Sequence, residues 1–592
     1  MDCAADLAAH AFAHPVKTAF FSTTACTALF TAYWLYHIFL SPYFSSIRCL
    51  PGPPPAHPLW GNASEALDNE PGVAFRKWTD EYGGAVRFRH LLGEEQLLIT
   101  DPVALNYVLN SHVDSYPKPP VLRADIHMLL GGGLAWADGD SHRRQRRLMA
   151  PAFTPGPLKA WVPLFFDLSY QLRDMFRARI DGGVIEPIAW GSKEKAEEYA
   201  STKRDGEAVI EMTDWVTRLT LDALGKSSFG YEFNAMQNER NELAQALYAL
   251  FIPHGPPLLP HPAGLLLTNA AVWVIRNLYQ RNLLRFVPHP AAKFLVKTFK
   301  QLDEESGKII DFKTGEKTGE KYSDDPAAKK RDLLSIFHTP AARDAMSREE
   351  LCAQLKTFVF AGHETVSTTI TWVLWWLAGH PEKQDRLRAE IRAARRKAVA
   401  EGREELTADE MYSLPYLDAV LREVLRLEGT ITSVPRIAKY DDLIPLAIPV
   451  RSAIDPSKTI SHIPVKKGQY IEISIYAYNR TSSVFGEDVD AFRPERWLDS
   501  ENKIEGKVGV YSSMLTFLHG QRACPGWKYG MYQMKAILSV LLDDFEFEPR
   551  EPGMRIEHRT QMIARPFVVG EQHLGSRLPM KVLLARENEA EE

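Results

Sequence analysis

Cysteine is scarce. The five residues, Cys3, Cys26, Cys49, Cys352 and Cys524, are scattered over 592 positions, and no two stand at C-x-x-C spacing. That argues against a disulfide framework, a zinc site or an iron–sulfur cluster. An odd, sparse count suits a reducing compartment. Charge of one sign is not in excess either. Seventy Lys and Arg against 75 Asp and Glu leave a formal net charge of −5, which gives no sign of a nucleic-acid surface. Internal repeats are absent, and so is a phosphate-cradling loop. The triplet Gly131-Gly132-Gly133 lacks both the G-x-G-x-x-G spacing and a preceding strand.

Long uncharged runs are also rare, and one stands out. Thr18 to Leu40 is 23 residues without Asp, Glu, Lys or Arg. As a helix it would reach about 34 Å, enough to cross a bilayer core with some tilt. Tyr33, Trp34 and Tyr36 are of the type found in an interfacial belt. The run is long for a cleaved signal and no small-x-small cleavage site follows it, so an uncleaved single-pass transmembrane anchor is expected. Lys17 and Arg48 flank it almost evenly and leave its orientation open. Leu50-Pro51-Gly52-Pro53-Pro54-Pro55 then stops the helix and stiffens the chain. The expected order is a tail (1–17), an anchor (18–40), a Pro-rich hinge (41–58), one large domain (59–585) and a short acidic tail (586–592).

Within that domain, residues 84–100 read as a β-hairpin. Two stretches rich in Lys, Glu, Gly and Asp, 193–207 and 313–330, read as exposed, mobile insertions. Between them the proline-broken apolar segment 247–267 could be buried core or could dip into a membrane. Ser347 and Glu350 form a capping box that opens a long apolar helix, ended by Gly379 and Pro381. A helix hydrophobic nearly all round must be buried. The acid and alcohol of Ala361-Gly362-His363-Glu364-Thr365 therefore need a reason to be inside it. Unless they have one, the glutamate faces the surface and the threonine bonds back to the preceding turn. A further helix, starting at Ser413 and Pro415, sets Glu423 and Arg426 side by side at i, i+3. Near the C-terminus, Phe517-Leu518-His519-Gly520-Gln521-Arg522-Ala523-Cys524-Pro525-Gly526 puts one cysteine in a glycine-bounded loop ahead of an apolar helical run. Pro525 suits a first helical position. Backbone N–H groups at a helix start favour a thiolate over a thiol.

The loop matches F-x-x-G-x-R-x-C-x-G at Phe517, Gly520, Arg522, Cys524 and Gly526, the pattern that carries the axial thiolate of the haem-thiolate monooxygenases. With A-G-x-E/D-T at 361–365, E-x-x-R at Glu423 and Arg426, and F-x-P-E-R-W ending on Arg496 and Trp497, the chain resembles the cytochrome P-450 superfamily, microsomal type. The likeness runs from about residue 50 to 585. It departs at W-x-x-x-R, where His142 stands in the tryptophan's place ahead of Arg146. The proline-rich hinge, that histidine and the A-G-H-E-T string look most like fungal members.

The resemblance implies a mainly α-helical fold with a smaller β-region, and haem b with Cys524 as axial ligand to the iron. His142, Arg146, Arg436 and Arg522 would hold the propionates, within a loop shaped by Phe517 and Gly526. Gly362 would make room for dioxygen, and Thr365 and Glu364 would manage protons, His363 being left to packing. Glu423, Arg426 and Arg496 would form a buried structural network. A pocket lined by parts of 121–130, 358–361, 431–434 and 562–563 is mostly apolar and implies a lipophilic substrate. With no flavin or nicotinamide fingerprint in the chain, electrons are expected from the NADPH-dependent microsomal flavoprotein reductase. The arginines of 143–147 that point away from haem would offer that partner a basic face. The expected reaction is hydroxylation or epoxidation with O2 at the endoplasmic reticulum membrane, catalytic domain cytosolic, in fungal terpenoid-like secondary metabolism or xenobiotic oxidation. A reductase-independent haem-thiolate isomerase or dehydratase, and a non-enzymatic haem sensor, stay open as alternatives; NADPH dependence of turnover separates the first of them.

Overall fold

The computed structural model describes residues 15–182, 203–204, 206–237, 241–243, 246, 263–313, 346–499, 508–560 and 563–586. Most of 193–207 and 313–330, and most of the proline-broken segment 247–267, lie outside the described residues. Where 193–207 is described, Lys203–Arg204 (β3) pairs antiparallel with Glu207–Glu211 (β4), so the end of that stretch is sheet rather than loose insertion.

Helices form the bulk of the described chain. Those that position the site are α1 (Pro15–Leu35), α2 (Gly139–Met149), α3 (Val162–Ile180), α4 (Met212–Leu224), α5 (Arg348–Ala378), α6 (Pro415–Leu427) and α7 (Trp527–Asp544). The capping box forms: Glu350 N–H donates to Ser347 Oγ at 3.2 Å, and Ser347 N–H to the Glu350 carboxylate at 3.3 Å. Leu355, Val359, Ile370, Val373, Leu374 and Leu377 have no exposed surface, so α5 runs through the interior as its all-round apolar pattern requires. It packs against α4 and α6, and α7 packs against α3, around one large core. Ser413 does not start α6. It closes the short helix Ala408–Tyr412, and Pro415 occupies the first turn of α6 behind Leu414.

A second core lies under a four-stranded sheet of β1 (Ala85–Arg89), β2 (Glu95–Ile99), β8 (Tyr470–Ser474) and β5 (Ser433–Ile437), in the order β1-β2-β8-β5. β1 and β2 are the expected hairpin. β6 (Asp442–Arg451) and β7 (Thr459–Val465) make a separate ribbon. β9 (Phe545–Pro549) continues from α7 and pairs with β12 (Pro579–Leu584), which also pairs with β4. Between them in sequence stands the hairpin β10 (Ile556–Thr560) and β11 (Ala564–Val568).

At the N-terminus, an unbroken helix over 18–40 is not what forms. α1 ends at Leu35, a π-helical turn covers Tyr36–Leu40, and a 3-10 turn follows at Ser41–Phe44. Among the described residues no helix is long and apolar enough to cross a membrane. The proline segment beyond it is packed on the sheet. Ile47 and Leu50 are fully buried, and the Pro51 carbonyl accepts from Arg87 N–H at 2.9 Å. A Cβ on Gly52 would lie 1.8 Å from the Arg87 carbonyl oxygen, which only glycine avoids.

Candidate active site

Cys524 sits where a 3-10 turn (Gly520–Arg522) runs into α7. Its N–H donates to the Phe517 carbonyl at 2.8 Å, closing the loop. Gly520 is held at φ +60, and a Cβ there would lie 2.6 Å from Asn110 Cβ, so the loop can approach the rest of the protein only with glycine. Gly526 caps α7 and the helix begins at Trp527, which leaves Pro525 outside the first turn where the sequence had placed it. The N–H groups of Gly526 and Trp527 donate to the sulfur. They do not win. Burial pushes the Cys524 thiol up, and these two donors with the Arg146 charge only partly offset it. A helix start alone therefore does not make this cysteine a thiolate; a cation at the sulfur is needed as well.

Beside the loop lies a buried cluster of positive groups. Arg146, on α2, donates to the carbonyl of Ala523, next to the cysteine. Arg522 donates to the Ala137 carbonyl at 3.0 Å and pairs with Asp138. Lys118 Nζ reaches the same carbonyl at 3.0 Å and Asp138 at 3.4 Å, and Arg123 is 3.3 Å from Asp138. Arg436, buried on β5, bonds its neighbour's carbonyl at 2.8 Å and faces Arg522. His142 is buried on α2. Burial and mutual repulsion act together here. Lys118 is pushed down to about 7, Arg436 to about 10 and His142 to about 3. Burial in turn lifts Glu472, near Arg436, to about 7. Asp138 and Glu472 are too little negative charge for so many cations. The cluster suits a ligand with two carboxylates.

On α5, Glu364 is inside, as its helix demands, but its partner was not legible. Arg565 Nη2 on β11 lies 2.7 Å from Glu364 Oε2, and His363 Nε2 is 3.5 Å from Oε1. Burial alone would raise this carboxyl; Arg565 and His363 outweigh it and hold it below its ordinary value. The Thr365 hydroxyl donates to the Ala361 carbonyl at 2.8 Å, so the reading in which it bonds back along its own helix holds for the threonine and fails for the glutamate. Gly362 does not face the open side of the helix. A Cβ there would meet Leu224 Cδ1 of α4 at 2.7 Å, so its small size serves helix packing. Ala361 is exposed, Gly362 and Thr365 are half-buried, and His363 and Glu364 are buried. The glycine triplet has a similar use: a Cβ on Gly133 would lie 2.7 Å from both the Ala353 carbonyl and Thr357 Oγ1, bringing its loop onto α5.

Glu423, Arg426 and Arg496 come together, 0%, 0% and 3% exposed. Arg426 bonds Glu423 through Nη2 at 2.8 Å and Nε at 3.1 Å, and Arg496 Nε does so at 2.9 Å. Trp497 Nε1 at 2.9 Å and Arg493 N–H at 3.1 Å complete the carboxylate's partners. The arginines spend their other donors on the carbonyls of Asn479, Val489, Phe485 and Asp488. This clamps α6 to the segment leading into the cysteine loop.

Phe517, which flanks the loop, is half-buried beside Tyr511 and Trp527. Of the expected pocket lining, Met562 lies outside the described residues and Ile563 is buried. Much of the basic face on α2 is already neutralised: Arg143 pairs with Asp114 and Asp140, and Arg144 with Glu350. In a cavity of about 760 Å³ that Cys524 does not line, Arg177 is paired with Asp544, and Arg392 and Arg395 with Asp543. Among the described residues no group of three or more His, Cys, Asp and Glu could hold a metal ion. Lys118, Asp138 and Arg565 were missed in the sequence because none belongs to a spaced motif.

Comparison with known proteins gives a consistent result. The sequence model of the family described as Cytochrome P450 matches residues 51–568. Cytochrome P450 monooxygenase 128 of Postia placenta is 33% identical over 565 residues, covering 93% of this chain and 95% of that protein. Cytochrome P450 monooxygenase claQ of Ampulloclitocybe clavipes is 29% identical, with 89% and 92% covered. The ganoderic acid synthetase CYP5150L8 of Ganoderma lucidum is also 29% identical, with 88% and 91% covered.

Proposed function

The chain belongs to the cytochrome P450 family of haem-thiolate monooxygenases, and from that premise we propose that it inserts one atom of dioxygen into a lipophilic small molecule, by hydroxylation or epoxidation. The residues present fit haem. A half-buried thiol receives two backbone N–H groups, and the adjoining cationic cluster lacks the anionic charge that two propionates supply. Bound haem supplies the iron at which dioxygen is activated, with electrons from a redox partner.

The chain's own residues do the rest. Cys524 ligates the iron, and its loop is held by the Phe517 carbonyl and by Arg146 on Ala523. Lys118, His142, Arg146, Arg436 and Arg522 hold the propionates; His142, neutral through burial, serves as a hydrogen-bonding ring and not a charge. Glu364 carries protons inward from solvent, and Thr365 relays them once its hydroxyl turns from the Ala361 carbonyl. Glu423, Arg426 and Arg496 hold the loop's foundation and touch no reactant.

The reductant is an NADPH-dependent flavoprotein reductase, docking on the α2 side where Arg147 is exposed. The N-terminal segment associates with the endoplasmic reticulum membrane through exposed apolar side chains, with Leu29 71%, Phe30 64% and Phe44 76% exposed. The substrate belongs to fungal secondary metabolism, a reading supported by the relative whose name is ganoderic acid synthetase. What carries the proposal is the placement of Cys524 beside the cationic cluster. Replacing Cys524→Ser should abolish the red-shifted Soret band of the reduced, carbon-monoxide-treated protein while leaving helix content unchanged. Haem-loaded wild-type protein without that band would overturn the reading.

A further inference from the structure

The hairpin β10–β11 is tied to α5 and its neighbours by a buried arginine–carboxylate ion pair and a buried histidine–carboxylate contact. At one, Arg565 meets Glu364, each side chain 7% exposed. At the other, His558 Nε2 meets Glu428, whose second oxygen accepts from Trp376 Nε1 at 2.9 Å. The His558 ring stacks on Trp372, centroids 4.2 Å apart and planes at 12°. Trp372, Trp376 and Glu364 all belong to α5, so the hairpin is strapped along this helix. At the Glu364 end the strap is thin. Arg565 holds the carboxylate through Nη2, its buried Nε having no hydrogen-bond partner among the described residues.

This geometry holds Glu364 apart from Thr365. The carboxylate is bonded to the hairpin, and Thr365 is bonded to Ala361; acid and alcohol do not touch each other. The charged or titratable groups facing Glu364 are Arg565 from β11 and His363 from its own helix. α4 contributes only the Thr220 hydroxyl, bonded to the His363 carbonyl at 3.1 Å. Among the described residues Arg565 is therefore the one fixed cation at the carboxylate.

We propose that Arg565 is a positioning residue for proton delivery: it holds Glu364 on the hairpin side of α5, and opening this ion pair frees the carboxyl to reach Thr365. The inference rests on Glu364 being the proton carrier. Each proton that leaves Glu364 is replaced by one from water, so the carboxylate returns to Arg565 unchanged and no further reactant is consumed.

The test uses full-length haem-loaded protein, with wild type, Arg565→Gln, Arg565→Lys and Glu364→Gln compared. Infrared difference spectra followed against pH read the protonated carboxyl band of Glu364, assigned by its loss in Glu364→Gln. An opposite charge this close holds a carboxyl down by about one to three units. In Arg565→Gln the midpoint of that band should accordingly rise, a 10-fold or greater gain in proton affinity, and Arg565→Lys should fall between. If Arg565→Gln does not fold, the lysine variant, which keeps the charge and loses the fork, gives the same comparison. An unshifted midpoint overturns the positioning role. Reductase-supported NADPH oxidation in H2O and D2O tests the underlying reading separately. A solvent isotope effect unchanged by Glu364→Gln removes the glutamate as carrier, whatever the infrared midpoints show.

Discussion

Replacing Glu423→Gln is the sharpest test of how this fold holds its cysteine loop. The substitution keeps the side chain's shape, so no cavity opens, and it removes one charge. Glu423 accepts five hydrogen bonds, from Arg426 Nε and Nη2, Arg496 Nε, Arg493 N–H and Trp497 Nε1. One carboxylate oxygen takes three of these donors and the other takes two, and an amide keeps only one acceptor atom, so two or three of the donors lose their partner. Two guanidinium groups would remain buried, with Asp488 left to Arg496 and, among the described residues, no carboxylate within ion-pair distance of Arg426. Breaking a buried pair in this way costs about 3–5 kcal/mol, a factor of roughly 10² to 10³ or more in the folding equilibrium. Urea unfolding, followed in parallel by circular dichroism and by haem absorbance, measures it. Adding Arg426→Met to Glu423→Gln should recover part of the loss by removing the stranded cation. Lys466→Ala, which breaks the open pair with Asp441 at 70% and 58% exposure, should be indistinguishable from wild type. If Glu423→Gln behaved like Lys466→Ala, the network would not be under charge stress and the argument would fail.

Two further outcomes follow. Gly520→Ala places a side chain at φ +60 and against Asn110, so it should cost about 1–2 kcal/mol from the backbone alone and lower haem retention at unchanged helix content; full retention would show that the loop can move aside. Asp222, bonded by the N–H groups of Ala235 and Met236, is pushed up to about 6 by burial. A carboxyl raised in the folded state adds stability that is fully present below its unfolded value near 4 and is lost as pH rises through 6, here about 3 kcal/mol. Asp222→Asn should flatten the stability curve between pH 4 and 6, and an unaltered slope there would refute the assignment.

Much of the fold was legible from local chemistry. The capping box and Gly379 bound α5 to within a residue, and all-round hydrophobicity put it inside. The i, i+3 spacing put Glu423 beside Arg426, and the β1–β2 hairpin stands where alternation placed it. Where local reading failed, a competing contact from elsewhere had won. Tyr36 ends α1 in a π-turn, and Gly93 packs against His37 and Ile38 there. Ser413 went to the helix before α6, and burial outweighed the helix start at Cys524.

The order of the motifs along the chain already pointed to the family this protein belongs to. Spacing along one element settles what shares a face, because backbone geometry is local and repeats every few residues. Only the tertiary structure decided that Gly362 makes way for Leu224, that Lys118 and Asp138 join the arginines, and that Arg565 claims Glu364. Those pairings join elements far apart in the chain. They are selected by how whole helices and strands pack, and by the cost of leaving a buried charge alone, which no local spacing records.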